Sequence, residues 1–135
     1  MNEINSAIYS KLNSATALTS MLAGTTAIYH MQAPDNATLP YVVFSHAAGG
    51  ADSMTPKERE NVLEFVRAYS DTSAAHAGSI NTKIRDTLHK KSITVSGYAN
   101  FWLQKEIHFE NIDNLPSGNK VWMQGDYYRI RLEKE

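Results

Sequence analysis

Cysteine is absent from the chain, so disulfides and thiol chemistry are excluded, and redox compartment leaves no trace in the sequence. Long apolar runs are missing as well, and none approaches the ~20 residues that a membrane-spanning helix needs. The N-terminus, Met1-Asn2-Glu3-Ile4-Asn5, has neither a basic segment nor an apolar core and does not read as a secretory signal. The expectation is a soluble protein made and kept in a cytoplasm, with no membrane partner. An excess of one charge is also lacking: 13 Lys and Arg face 14 Asp and Glu, a net charge of −1. A general nucleic-acid binder usually carries a basic excess, so direct nucleic-acid readout is not expected. So small a net charge is low for a protein that must stay monomeric at high concentration.

What is present suits one domain spanning residues 1–135. Hydrophobic residues make up 42%, enough for an ordinary core. Ile4, Ile8 and Leu12, with Ala7 on the same side, predict an amphipathic helix over residues 3–13. Leu18, Met21 and Leu22 suggest a short second helix ending at Gly24. Ile28 to Met31 reads as a short strand, and residues 33–38 are turn chemistry. Tyr41-Val42-Val43-Phe44-Ser45 is the strongest strand signal, entered through Pro40. His46 to Gly50 is expected to dissolve that strand into a polar loop over residues 49–60.

A second strand, Asn61 to Tyr69, follows the loop. The capping residue types Ser70-Asp71-Thr72-Ser73 come next, then a helix with Ala77, Ile80, Ile84 and Leu88 on one face. Beyond it, Ile93 to Ser96 alternates like a strand. Phe101, Leu103, Ile107 and Phe109 alternate with polar residues, as in a long half-buried strand. Residues 113–119 form a turn. The last strand, Val121 to Leu132, sets Tyr128, Ile130 and Leu132 against Tyr127, Arg129 and Arg131, with Gly125 read as a bulge. The fold class is α+β: a mainly antiparallel sheet with an N-terminal helix and one central helix packed on one face.

Chemistry-bearing motifs are sparse. The histidines at 30, 46, 76, 89 and 108 show no metal-ligand spacing. His89 falls in the last turn of the central helix, where a cation suits the dipole, and His108 alternates outward. Ser117 and Lys120 have Ser-x-x-Lys spacing, but in a turn rather than on one helix face. Asn36-Ala37-Thr38 matches a glycosylation sequon without a secretory context. Gly49-Gly50 is not a phosphate loop, since no Gly-Lys-Ser/Thr follows. Lys83, Arg85, Lys90 and Lys91 make the helix end basic, as a solvated face would be. No nucleophile, base and oxyanion site assemble, so no catalytic residue, metal site or cofactor is expected. Tyr127, Tyr128, Arg129 and Arg131 are residue types enriched at protein interfaces. Single-stranded nucleic acid would use them too, but the balanced charge favours a protein partner.

The ordered set of segments resembles a known family. It comprises the Ile4/Ile8/Leu12 helix, Ala17-Leu18-Thr19-Ser20-Met21-Leu22, Gly24-Thr25-Thr26-Ala27-Ile28-Tyr29-His30 and Gln32-Ala33-Pro34. Leu39-Pro40-Tyr41-Val42-Val43-Phe44, the helix beginning Ala74-Ala75-His76-Ala77, and Asp126-Tyr127-Tyr128-Arg129 complete it. This arrangement is similar to the tail completion, or tail terminator, proteins of long-tailed bacteriophages, over nearly the whole chain. The resemblance implies a non-enzymatic virion protein that caps the head-proximal end of the tail tube as a ring, typically a hexamer. Its implied partners are further copies of itself, the tail tube protein and the head–tail connector or stopper protein. The alternative is another neck protein, a head–tail joining or stopper protein. Such a ring needs two different patches on each subunit. The loop residues Asp52, Met54, Lys57, Glu58 and Arg59 are expected to make contacts. Tyr127, Arg129 and Arg131 are expected at a subunit boundary, the arginines opposite carboxylates such as Glu58 or Glu60.

Overall fold

The computed structural model describes residues 2–24, 27–51 and 58–135. Three helices and five strands follow one another: α1 (Asn2–Asn13), α2 (Thr16–Thr19), β1 (Ile28–His30), β2 (Tyr41–Ala51), β3 (Arg59–Ser70), α3 (Ala74–Leu88), β4 (Tyr98–Asn114) and β5 (Lys120–Lys134). The strands form one sheet in the order β1-β2-β3-β5-β4. Only β1 and β2 run parallel, and the remaining neighbours are antiparallel. The architecture is therefore α+β, as the strand and helix periods predict.

Alternation decides which residues meet the helices. On β3, Val62, Val66 and Ala68 face the same way. They join Val42 and Phe44 of β2 and Tyr128, Ile130 and Leu132 of β5 in the core. Ile4, Ile8 and Leu12 of α1 and Ile80, Ile84 and Leu88 of α3 cover them. Three residues separate β3 from α3. Ser73 is its N-cap, and its hydroxyl accepts from the His76 amide at 3.1 Å. That bond satisfies one of the orphan donors of the first turn. Gln124 of β5 donates to the Ala74 carbonyl at 2.9 Å, fixing the helix start over the sheet.

Several expectations are corrected. The strand read as ending at Ser45 continues to Ala51, so β2 and β3 form a long hairpin with Gly49 opposite Val62 and Ala51 opposite Glu60. Pairing to β3 supplies what the Ala and Gly residues lack in strand propensity, and an irregularity between His46 and Ala48 absorbs the register shift. Ile93 to Ser96 is not a strand, and only a bridge between Val95 and Tyr98 forms there. Helix α2 ends at Thr19 with Ser20 as its C-cap, short of Gly24. Gly125 marks no bulge, since β5 pairs with β3 in continuous register through it. It marks a close approach instead: a Cβ there would lie 2.7 Å from Arg67 Cβ and 2.8 Å from the Val66 carbonyl oxygen. The irregularities lie on β4, between Asn100 and Trp102 and between Lys105 and Ile107.

His89 is also corrected. It lies at the C-cap of α3 in extended backbone, and its Nδ1 accepts from the Lys105 amide at 3.0 Å. That nitrogen therefore carries no proton. Burial, with the positive charges of Lys90 and Lys105, lowers the His89 pKa. The Lys90 amide donates to the Leu103 carbonyl at 2.9 Å. Residues 89 and 90 thus occupy the outer edge of β4 at positions 103 and 105. Farther along, the Asn111 side chain accepts from the Ile112 amide at 2.8 Å. The long edge strand is blunted against main-chain pairing at both places.

Candidate interaction surface

Among the described residues, no helix lies over the second face of the sheet, although Val43, Val121 and Met123 on it are buried. The alternate residues of β3, namely Leu63, Phe65, Arg67 and Tyr69, lie there, opposite Arg129, Tyr127, Gly125 and Met123 of β5. Phe65 and Tyr127 stack with ring centres 4.4 Å apart and planes 11° from parallel. Phe109 of β4 meets Phe65 edge-on at 6.0 Å. The Arg67 guanidinium lies 4.8 Å from the Phe65 ring centre. Its three nitrogens donate to Tyr69 Oη (3.1 Å), Ser45 Oγ (3.0 Å) and the Met31 carbonyl (3.3 Å). A guanidinium so engaged is a pre-organised platform, and its planar fork loses little freedom on contact with a partner.

Beside this aromatic patch lies a row of arginines. Arg129 grips Glu106 through two bonds, Nε to Oε2 at 3.0 Å and Nη2 to Oε1 at 3.1 Å, and also donates to Asn61 Oδ1 at 3.0 Å. Hydrogen bonding from Arg129 holds the Glu106 carboxyl below its usual range, and Glu106 raises Arg129 in return. Arg131 stands 5.6 Å from the Trp102 ring centre. Arg59 meets Glu133 at 3.0 Å and stands 5.5 Å from the Phe101 ring centre. Glu58 meets Lys134 at 3.3 Å.

The structure therefore brings Arg59, Tyr127, Arg129 and Arg131 onto one face, with Glu58 at its end. It does not set Arg129 against Glu58 or Glu60 within the chain, because the irregularity between Lys105 and Ile107 turns Glu106 toward it. Asp52, Met54 and Lys57 lie outside the described residues. Phe65, Arg67, Trp102 and Glu106 were not singled out in the sequence. The alternation of β3 held the signal for the first two, whereas the positions of Trp102 and Glu106 depend on irregularities that no period reveals.

The apolar side chains of β4 depart from expectation too. Only Leu103 is buried, while Phe101, Trp102, Ile107 and Phe109 are exposed, as is Ile112. Leu103 pairs with Ile130 on the helix-covered face, whereas the irregularity between Lys105 and Ile107 shifts the alternation, so that Ile107 and Phe109, opposite Tyr127 and Gly125, fall on the other face, as does Trp102 opposite Arg131.

Three polar side chains on the covered face, Glu64, Ser70 and Asp126, are buried. Glu64 is fully buried, and neither of its oxygens makes a hydrogen bond among the described residues. His46 Nδ1 lies 3.3 Å from one of them, off hydrogen-bond alignment. Burial raises the Glu64 carboxyl to about 7 and lowers His46. Asp126, also fully buried, accepts from Asn81 Nδ2 at 3.2 Å and contacts His108 Nδ1 at 2.7 Å. The Tyr128 hydroxyl donates to it at 3.5 Å, and burial followed by the Asp126 charge raises the tyrosine. This cluster ties α3, β4 and β5 together. Ser70 Oγ and His76 Nδ1 are 2.6 Å apart, and Ser70 Oγ also accepts from the Thr72 amide. That pair braces the turn between β3 and α3. Among the described residues, no group of three or more His, Asp or Glu side chains is placed to hold a metal ion. Also among them, no helix is long and apolar enough to cross a membrane.

A family model described as tail completion protein gp17 matches residues 6–125. No curated protein matches the chain. Among solved structures, a chain from one described as "Virion of native gene transfer agent (GTA) particle" superimposes with a TM-score of 0.77. The match covers 95% of this chain and 92% of that one at 17% identity, a likeness of fold.

Proposed function

The chain belongs to the family of tail completion protein gp17 and is a structural protein of a phage-type tail, and from that premise we propose that it caps the head-proximal end of the tail tube as a ring. In this reading the ring, a hexamer, stops tube polymerisation and offers its opposite surface to the head–tail connector. It assembles in the host cytoplasm and remains in the virion neck. The whole chain acts as one domain in this role. The observation that carries the assembly reading is the uncovered sheet face, where Phe65 and Tyr127 stack beside arginines already held in place. Aromatic and arginine side chains with fixed rotamers suit protein contacts, because little side-chain freedom is lost on binding.

The loop between β2 and β3 is the proposed tube-facing element, with Asp52, Met54, Lys57, Glu58 and Arg59 as its contacts. The two strands stay paired up to Ala51 and Glu60, which gives the loop a firm base. The test replaces residues 52–57 with a Gly-Ser linker and images tails assembled with the variant. The expected result is a folded subunit by circular dichroism, with tubes that overgrow and carry no cap. Tubes of normal length would sink the loop assignment. Normal tube length in the complete absence of the protein would sink the capping reading itself. Density on the capsid side of the joint rather than on the tube end would favour a head–tail joining role.

A further inference from the structure

At the end of the sheet away from the β2–β3 loop, where Tyr41 pairs with Tyr69, the second face holds an open hollow of about 510 Å³. Tyr41, Val43, Arg67 and Tyr69 form its floor. Met31 and Leu115 stand on its rim, 67% and 41% exposed. The Met31 carbonyl accepts from Arg67 Nη2 at 3.3 Å, which ties one wall to the floor. On the other side, the Leu115 amide donates to the Asn119 carbonyl at 2.8 Å and fixes the turn that carries Leu115. Tyr41 lies between Tyr29 and Tyr69, with ring centres 5.7 and 5.3 Å away. The hollow is therefore formed without a partner, and its surface is mostly aromatic and aliphatic.

A guanidinium offers five N–H donors. Arg67 uses three of them, on Tyr69, Ser45 and Met31, and one N–H on each terminal nitrogen has no partner among the described residues. Arg59 and Arg129 each hold a carboxylate, Glu133 and Glu106. Arg67 is half-buried, and among the described residues it forms no ion pair. Asp35 and Asp113 line the same hollow, but neither pairs with it. A cation held partly out of water without a counter-charge favours a carboxylate that arrives with apolar neighbours. The two aspartates repel a run of negative charge, so a polyanion fits poorly. The exposed strand β4 of this chain carries carboxylates among apolar residues, yet both have partners, Glu106 in Arg129 and Glu110 in His108 at 3.4 Å. We propose that the hollow docks a short segment of a different virion protein, one that presents a single carboxylate between apolar side chains. The carboxylate meets Arg67, and the apolar groups pack against Met31, Tyr41 and Leu115. This site goes beyond tube capping and does not depend on it.

The test titrates the full isotope-labelled chain with a blocked pentapeptide that has one aspartate between two leucines, and follows backbone NMR shifts. A second peptide carries asparagine in place of the aspartate. The expected result is saturable shifts confined to the surroundings of Met31, Arg67 and Leu115, with the asparagine peptide bound about tenfold more weakly. Arg67→Gln should weaken the aspartate peptide by a similar factor and leave the asparagine peptide unchanged. Leu115→Ser, at an exposed turn, leaves the guanidinium in place and should weaken both peptides alike. Equal affinity for the two peptides would overturn the proposal, as would shifts elsewhere, or none at millimolar peptide. Displacement of the peptide by a short oligothymidylate would overturn it in favour of a nucleic-acid site. Self-association that sedimentation detects in the wild type and not in Arg67→Gln would make the occupant a second copy and overturn the assignment to a different protein.

Discussion

Arg129 and Glu106 form a two-bond fork between neighbouring strands, with nitrogen–oxygen distances of 3.0 and 3.1 Å. The geometry is the best available to an ion pair, but both side chains keep contact with water. Solvent screening limits such pairs to roughly 0.5–1 kcal/mol. A double-mutant cycle with Arg129→Ala and Glu106→Ala, followed by urea denaturation, should give a coupling energy in that range. It should shrink in high salt. Zero coupling at low salt would mean that the fork contributes nothing to the fold and is held for a partner.

Gly125→Ala should destabilise the subunit by roughly 1–3 kcal/mol, the usual cost of forcing an extra methyl group into a packed site. The added carbon would press on the Arg67 Cβ and on the Val66 carbonyl oxygen, and neither is the free end of a flexible chain. Gly50→Ala is the control, since nothing stands within 4 Å of the added carbon there. Equal urea midpoints for the two variants would contradict the close approach of β3 to β5.

Glu64 makes stability depend on pH in a direction that can be worked out. Its carboxyl is raised from about 4.5 to about 7 in the folded state, so the folded protein binds the proton more tightly than the unfolded chain. Its contribution is complete below about pH 4.5 and fades as pH rises through 7. His46 faces it across 3.3 Å and acts in the opposite sense, since its lowered pKa removes stability as pH falls through the usual histidine range. Glu64→Gln removes the first effect and keeps the second. The variant should gain on the wild type between pH 5 and pH 8, by roughly 3 kcal/mol at most. Parallel denaturation midpoints across that range would show that Glu64 does not titrate there.

Much of the fold was legible because two periods run through the chain with little interference. Ile4, Ile8 and Leu12 mark α1, and Ile80, Ile84 and Leu88 mark α3. The alternation of β5 placed Tyr127, Arg129 and Arg131 together opposite Tyr128, Ile130 and Leu132, and the structure keeps that division. What periodicity misses is set by neighbours distant in sequence. The far half of β2 is Ala and Gly, and β3 holds it in the sheet. The apolar residues of β4 looked half-buried because alternation reports two faces without saying whether anything covers either one. Glu64 alternates with Val62 and Val66, so its burial was visible in principle, but no period distinguishes a buried carboxylate from a misplaced polar residue. Of the loop positions, Glu58 and Arg59 are placed, whereas Asp52, Met54 and Lys57 lie outside the described residues.

The division between the two faces of β3 and β5 has a consequence for how this subunit can change. Even-numbered positions from Val62 to Ala68 and from Tyr128 to Leu132 are committed to the core beneath α1 and α3. Odd-numbered positions from Asn61 to Tyr69 and from Tyr127 to Arg131 lie on the other face and outside that core cluster. In the proposed assembly reading, a single strand thus carries two interleaved instructions, one for folding and one for recognition, offset by a residue. In that reading, substitutions at the odd positions would alter which surface the subunit accepts while the hydrophobic interior stays as it is. Two subunits could therefore share the same interior and accept entirely different neighbours.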